Sequence, residues 1–180
     1  MLLELSTKYT NWDTNVGTDK SWPHSYIQNV YEAELAPYQH SDINLLEIGV
    51  NGGYSLKVWS EYFTAATIYG IDINLHAYNV YPIPENVRFI VGDGTKPEIF
   101  ASLPKFKIII DDGSHYLHDQ LETFKIAFPL LEPGGLFIIE DIANLEEAKA
   151  AFEAINPNFE IFDLREKSGR VDDIIFLYRS

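Results

Sequence analysis

The sequence predicts an α/β fold. Its core is a seven-stranded, mostly parallel sheet with helices on both faces and an antiparallel hairpin at the C-terminal end. Three observations predict it. Five short apolar runs rich in Ile and Val, each bounded by Gly, Asp or Pro, recur between residues 45 and 139. Such runs suit strands buried on both faces of a parallel sheet, where no side chain meets water. Amphipathic stretches of helical period lie between several of them, and that alternation implies right-handed crossovers. After residue 142 the rhythm changes to helix, strand, strand.

The five runs are Leu45–Ile48, Thr67–Asp72, Val87–Val91, Lys107–Ile110 and Leu136–Ile139, with helical patterns over Ser55–Phe63, Lys96–Ser102 and Tyr116–Leu131. Ala143–Ile155 reads as a helix, with Asn144 as N-cap and Glu146 and Glu147 in the first turn, where acids favour the helix dipole. Phe159–Leu164 and Asp173–Tyr178 read as two strands joined through Lys167-Ser168-Gly169, with no helix between them. Upstream, Ser6–Pro23 is polar and aromatic without period and reads as a loop, His24–Ala36 as a helix, and Pro37–Asn44 as the lead into the first strand. Residues 1–40 therefore form an N-terminal arm and helix, expected as a lid over the site, and residues 41–180 form the main domain.

Composition narrows the function. The chain has 180 residues, a net charge of −14, no cysteine, and 11 Phe, 11 Tyr and 3 Trp. One domain with a substantial core is expected at this length. The missing cysteines exclude disulfides, thiolate zinc sites and thiol catalysis among these residues. Thirteen basic residues against 27 acidic ones speak against nucleic acid and against an anionic membrane surface. No basic leader and no apolar run near the ~20 residues of a membrane span are visible. The expected place is the cytosol.

Ligands of open α/β sheets bind beyond the carboxyl ends of the strands. The first strand ends in Glu47-Ile48-Gly49-Val50-Asn51-Gly52-Gly53-Tyr54-Ser55, a glycine-rich turn that lets backbone approach a ligand. The second ends in Asp72, placed to accept a ribose diol, and the third in Gly92-Asp93-Gly94, a carboxylate for an adenine amine. The turn lacks Gly-x-Gly-x-x-Gly, which argues against a dinucleotide pyrophosphate. The acid Glu47 beside it suits a cationic amino-acid group, so S-adenosylmethionine, with its ammonium, sulfonium and ribose, fits. The cofactor residues are Glu47, Gly49, Asn51, Gly53, Ser55, Asp72 and Asp93 of these ends, with Asp111 at the end of the fourth strand. The fourth strand ends in Asp111-Asp112-Gly113-Ser114-His115 and the fifth in Glu140-Asp141. Four carboxylates at two neighbouring strand tips repel one another or bind a cation such as Mg²⁺, Ca²⁺ or Mn²⁺. Helix capping explains one acid per tip, not two. His115 is then a candidate general base, which a nearby cation would keep neutral. His118 is the weaker candidate, and His40 and His76 read as loop or surface residues.

At these residues the sequence resembles the class I S-adenosylmethionine-dependent methyltransferases, with their Rossmann-like fold. More narrowly, it resembles the metal-dependent sugar O-methyltransferases of the macrocin and mycinamicin type and the cephalosporin hydroxylase family. The resemblance rests on Gly17-Thr18-Asp19-Lys20 with His24 and Tyr26, Leu45–Val50 with Gly52-Gly53, Ser55-Leu56 and Trp59, Tyr69–Ile73, Ile109–His115 and Leu131–Asp141. It implies Asp112, Glu140 and Asp141 as magnesium ligands, His115 as general base, and Glu47, Gly49, Asp72 and Asp93 at cofactor positions. The implied reaction is transfer of a methyl group from S-adenosylmethionine to a hydroxyl of a sugar or small natural product.

The chain departs from that family in two places. Gly92-Asp93-Gly94-Thr95 replaces the usual Gly-Asp-Gln-Ser, and Ile142-Ala143-Asn144 replaces the usual polar and aromatic acceptor residues. The acceptor pocket is then open or built from the arm around Tyr9, Trp12, Lys20, Trp22 and His24. Competing readings are a catalytically inactive cofactor-binding module and a nucleotide-dependent oxidoreductase. Retention of His115 with the three metal positions favours catalysis. A homo-oligomer is compatible with the sequence, which leaves oligomeric state and acceptor open.

Overall fold

The computed structural model describes residues 1–9, 17–74, 82–156 and 158–180. Trp12 and His76 lie outside the described residues. Seven strands form one sheet: β1 (Asn44–Ile48), β2 (Thr67–Asp72), β3 (Val87–Val91), β4 (Phe106–Asp111), β5 (Leu131–Ile139), β6 (Phe159–Asp163) and β7 (Ile174–Arg179). The order is β3-β2-β1-β4-β5-β7-β6. The first five strands pair in parallel, and β7 pairs antiparallel with both β5 and β6. This is the Rossmann-like sheet the sequence predicts.

The Ile- and Val-rich runs are buried because the sheet is covered twice. On one face Leu45, Ile68, Ile108, Ile110, Ile138 and Leu177 pack under α1 (Leu2–Lys8), α2 (Glu32–Leu35) and α3 (Tyr54–Tyr62). On the other, Leu46, Ile48, Ile109, Phe137, Ile139 and Phe176 pack under α4 (Pro97–Phe100), α5 (Leu117–Ala127) and α6 (Leu145–Glu153). Tyr26, Ile27, Val30, Tyr31 and Leu35 belong to the first layer, so the arm packs as part of the core.

Four local expectations need correction. The span Ser6–Pro23 does not begin as a loop: α1 runs through Lys8 and buries Leu2 and Ser6, one turn apart. The stretch expected as one helix to Leu131 leaves α-geometry at Ala127, because Pro129 lacks the N–H to continue it; a 3₁₀ turn, Phe128–Leu130, follows, and β5 already starts at Leu131. The connection between β6 and β7 does hold a helix, α7 (Arg165–Ser168), closed by Gly169 at φ +77°. Four residues are too few to show a period; the Asp163 carboxylate nucleates the turn by accepting from the Arg165 N–H at 3.2 Å. The segment expected as a helix over His24–Ala36 runs as a π-turn, Ile27–Tyr31, into α2 and a 3₁₀ turn, Ala36–Tyr38.

Register fixes the site. Ile48 pairs with Asp111, and Asp111 with Ile139. The next residues, Gly49, Asp112 and Glu140, therefore form one row across β1, β4 and β5, where the strand order reverses and ligands of this architecture bind.

Candidate functional site

The row is locked by backbone first. The Asp112 N–H donates to the Ile48 carbonyl at 2.8 Å, and the Glu140 N–H to the Asp111 carbonyl at 2.9 Å. Gly49 must be glycine: at φ +84° a Cβ would lie 1.9 Å from the Asp112 carbonyl oxygen. Three non-glycine residues at these tips also hold left-handed backbone, Asn51 (φ 48°), His115 (φ 61°) and Asp141 (φ 56°). Such strain persists only where the surroundings hold it, and it gathers at functional sites.

The acids then divide into two groups. Asp112 Oδ1 faces His115 Nε2 at 3.2 Å, and Asp141 Oδ2 faces the same nitrogen at 3.5 Å. Donor atoms of Asp112, His115 and Asp141 lie within 4.8 Å of one another. Two carboxylates at that spacing fit a hard divalent cation such as Mg²⁺ or Mn²⁺, with the imidazole beside it. Glu140 points the other way: its carboxylate accepts from Lys20 Nζ at 2.6 Å and from the Tyr31 hydroxyl. Lys20 Nζ also donates to Asp112 Oδ2 at 2.6 Å and stands 3.4 Å from Glu47 Oε1. Glu47 is fully buried and accepts from Ser55 Oγ at 2.7 Å and Trp59 Nε1 at 3.1 Å.

A second buried group lies behind Asp141. The Tyr26 hydroxyl donates to Asp141 Oδ1 at 2.5 Å, and His24 Nδ1 bonds Asp173 Oδ1 at 2.6 Å. His24, Asp141 and Asp173 also present donor atoms within 4.8 Å of one another. Arg170 Nε stands 3.2 Å from Asp173 Oδ1, so this group already has a cation.

Burial sets the protonation of these groups. It pushes Glu47 up to about 7 against the pull of Lys20, and Asp111 up to about 7 against the Gly113 N–H. It raises Glu140 well above the carboxylate range despite Lys20, and it raises Asp141, with Asp112 adding to the shift. Burial opposes charge on Lys20, but Asp112, Glu140 and Glu47 outweigh it and hold the ammonium well above its usual pKa. The hydrogen bond to Asp112 raises His115 against burial. His24 is held at about 9, where Asp19 and Asp141 overcome its burial.

Two adjoining cavities open over the strand ends. The first, about 430 Å³, is walled by Gly49, Asn51, Asp72, Ile73, Asp93, Asp111 and others. The second, about 260 Å³, continues past Asp72 to Ser55, Lys20, Asp112 and His115. Glycines at 49, 92, 94 and 113 line them, and the buried Asp111 keeps an unpartnered Oδ2. A nucleoside-bearing ligand fits this size and donor set.

Of the eight cofactor residues read from sequence, Gly49, Asn51, Ser55, Asp72, Asp93 and Asp111 line these cavities. Glu47 and Gly53 do not, and Glu47 sits behind Ser55. Asp72 has structural work of its own: Oδ2 accepts from Val50 N–H (2.8 Å) and Asn51 N–H (2.7 Å), and Oδ1 from Asn74 N–H (2.8 Å). Asp93 Oδ1 accepts from the Thr95 N–H and hydroxyl, which hold its pKa low. His118 is largely exposed and pairs with Asp119 at 2.8 Å, while His40 bonds Thr64. The partners Lys20, His24, Tyr26 and Tyr31 are absent from the sequence-derived site set. The motif Gly17–Lys20 with His24 and Tyr26 is the available signal; it carries the family resemblance, and of it only Lys20 and His24 are assigned a place, in the acceptor pocket.

The methyltransferase-domain family matches residues 46–142. The chain belongs to that family. It is similar to the 8-demethyl-8-alpha-L-rhamnosyl tetracenomycin-C 2'-O-methyltransferase of Streptomyces olivaceus, 34% identical over 137 residues, covering 70% of this chain and 35% of that protein. It is similar to the demethylmacrocin O-methyltransferase of Streptomyces fradiae, 34% identical over 125 residues, covering 62% of this chain and 30% of that one. Among solved structures, the MycE methyltransferase from the mycinamycin biosynthetic pathway, in complex with Mg and SAH, superposes with a TM-score of 0.76 at 27% identity, covering 99% of this chain and 54% of that one. The chain thus spans about a third of the length of the curated relatives it matches.

Proposed function

We propose that this chain is a magnesium-dependent O-methyltransferase that moves a methyl group from S-adenosylmethionine to a hydroxyl of a sugar or small natural product. The observation that carries the reading is the junction of a glycine-lined cavity with the Asp112–His115–Asp141 group. The similar proteins are sugar O-methyltransferases, and the MycE structures hold Mg and SAH, one of them with mycinamycin VI.

In this reading the cofactor would supply an electrophilic methyl on a sulfonium, and the divalent cation would supply charge that lowers the pKa of the acceptor hydroxyl. Asp112 and Asp141 hold the cation; Glu140, which the family resemblance implies as the third acid, is instead turned to Lys20 and Tyr31 and acts through Lys20 on Asp112. His115 takes the acceptor proton at a ring nitrogen. Gly49, Asn51, Ser55, Asp72, Asp93 and Asp111 bind the cofactor, Asp72 taking the ribose and Glu47 acting through Ser55 and Gly53 through the turn. Little else is required, because an in-line transfer gains most of its rate from alignment. Residues 1–40 act as the lid: Lys20, His24, Tyr26 and Tyr31 bond Asp112, Asp173, Asp141 and Glu140.

We place the protein in the cytosol, without nucleic acid or membrane partners and as a candidate homo-oligomer. The acidic charge supports the first two, and no described helix is long and apolar enough to cross a membrane. The test is calorimetric titration with S-adenosylhomocysteine, with and without Mg²⁺, followed by a screen of sugar-bearing acceptors. Micromolar binding and EDTA-sensitive methyl transfer are expected. Tight NADH binding without S-adenosylhomocysteine binding, or transfer unchanged in EDTA, would sink the reading.

A further inference from the structure

Lys20 is a cation inside the acid row, and the reaction above gives it no step. Its side chain is 1% exposed, a rare state for lysine that requires compensation. Three carboxylates provide it: Asp112 Oδ2 and Glu140 Oε2 at 2.6 Å each, and Glu47 Oε1 at 3.4 Å. These acids come from two strand ends and one strand interior, and the one ammonium reaches all three.

We propose that Lys20 is the positioning residue of the cation site, clamping Asp112 to Glu140 so that Asp112 presents its other oxygen to His115 and Asp141. The proposal rests on the magnesium reading above.

The orientation of each oxygen supports it. The arm takes the rear oxygens: Lys20 holds Asp112 Oδ2 and Glu140 Oε2, Tyr31 holds Glu140 Oε1, and Tyr26 holds Asp141 Oδ1. The oxygens left facing forward are Asp112 Oδ1 and Asp141 Oδ2, both turned to His115 Nε2. Only Asp112 of these acids is appreciably exposed, 20%, so it is the one free to rotate once its clamp is cut. Charge points the same way. Glu47, Asp112 and Glu140 face one ammonium. Without Lys20, Asp112 and Glu140 would lose the cation that draws them together across the gap the ammonium fills.

The rival role is a competitor that a divalent cation expels, and the two differ in sign. Mn²⁺ binding to the full chain is followed by electron paramagnetic resonance in wild type and Lys20→Met, with circular dichroism for fold and S-adenosylhomocysteine affinity in the same samples. Loss of an outer-shell partner costs about 10–100-fold in metal affinity, so Lys20→Met is expected to bind Mn²⁺ at least about tenfold more weakly. Unchanged or tighter Mn²⁺ binding overturns the proposal. If Lys20→Met does not fold, Lys20→Gln carries the same comparison. In wild type, the Lys20 ammonium resonance should persist, shielded from solvent exchange, at saturating Mg²⁺; its collapse on Mg²⁺ addition would show expulsion and also overturn the proposal. A wild-type chain that binds S-adenosylhomocysteine but no Mn²⁺ removes the magnesium reading itself, and Lys20's role with it.

Discussion

His115 joins strain, charge and exposure in one side chain. Its backbone is left-handed, its Nε2 lies between Asp112 and Asp141, and 42% of the side chain is open to solvent. As the base, His115→Ala is expected to lower turnover about 10²–10⁴-fold with S-adenosylhomocysteine affinity nearly unchanged. A thermal melt beside the assay separates lost chemistry from lost protein. An equal rate per folded molecule would return proton removal to solvent. The histidine's pKa is raised in the metal-free protein by Asp112, whereas a bound cation favours the neutral ring. Mg²⁺ should therefore move the His115 titration, followed by NMR, to lower pH. Asp72 carries a double load, so Asp72→Ala should weaken S-adenosylhomocysteine by roughly 1–3 kcal/mol and also lower the melting temperature, as three backbone N–H groups lose their acceptor. The acids were legible in sequence because each ends an apolar run. Their partners were not: Lys20 lies 92 residues from Asp112 and 120 from Glu140, and no local period reports such a pairing.

The strands were the most legible elements, since burial on both faces leaves unbroken Ile and Val, as in Ile108-Ile109-Ile110. The helix α6 was legible from its cap. Asn144 Oδ1 accepts from the Glu147 N–H at 3.4 Å, and Glu147 returns the contact to Asn144 Nδ2 at 3.1 Å. Asn144→Ala is expected to cost about 1 kcal/mol, read as a lower denaturation midpoint with an unchanged m-value. A larger loss, or a change in m, would mean that the cap also holds the Ile142–Asn144 turn below Asp141. The elements sequence reading missed, α1 and α7, are short. α1 is stabilised by docking on α3 and by contacts such as Lys8 with Glu61 at 2.9 Å, and α7 by Asp163. Tertiary contact, not propensity, makes helices of that length.

Among the described residues several buried groups bind protons more tightly when folded, and three of them reach about 7 to 9. His24 is raised to about 9 from 6.5, so its contribution is whole below about 6.5 and gone above about 9. Glu47 and Asp111 are raised to about 7 from 4.5 and 3.8. An acid raised on folding favours the folded state while protonated, and that advantage fades as pH climbs through its folded pKa. All three have the same sign. Calorimetric melting in EDTA should give a melting temperature that falls steadily from about pH 5 to about pH 9. Mg²⁺ should restore much of the loss, since it binds the ionised acids of the native state alone. A flat or rising profile in EDTA would contradict the burial assigned to these groups.

The place of β7 has a consequence for synthesis. It is the last in sequence of the seven described strands, yet it lies between β5 and β6 and is hydrogen-bonded to both. A nascent chain that has emerged only through Asp163 holds β6 with no neighbour and β5 with one edge bare, because neither can pair with the other across the missing strand. Closure of that half of the sheet waits until Ile174–Arg179 has cleared the ribosome exit tunnel. A stalled chain released before residue 174 should be cut by protease within β6, while β1 to β4 are already protected.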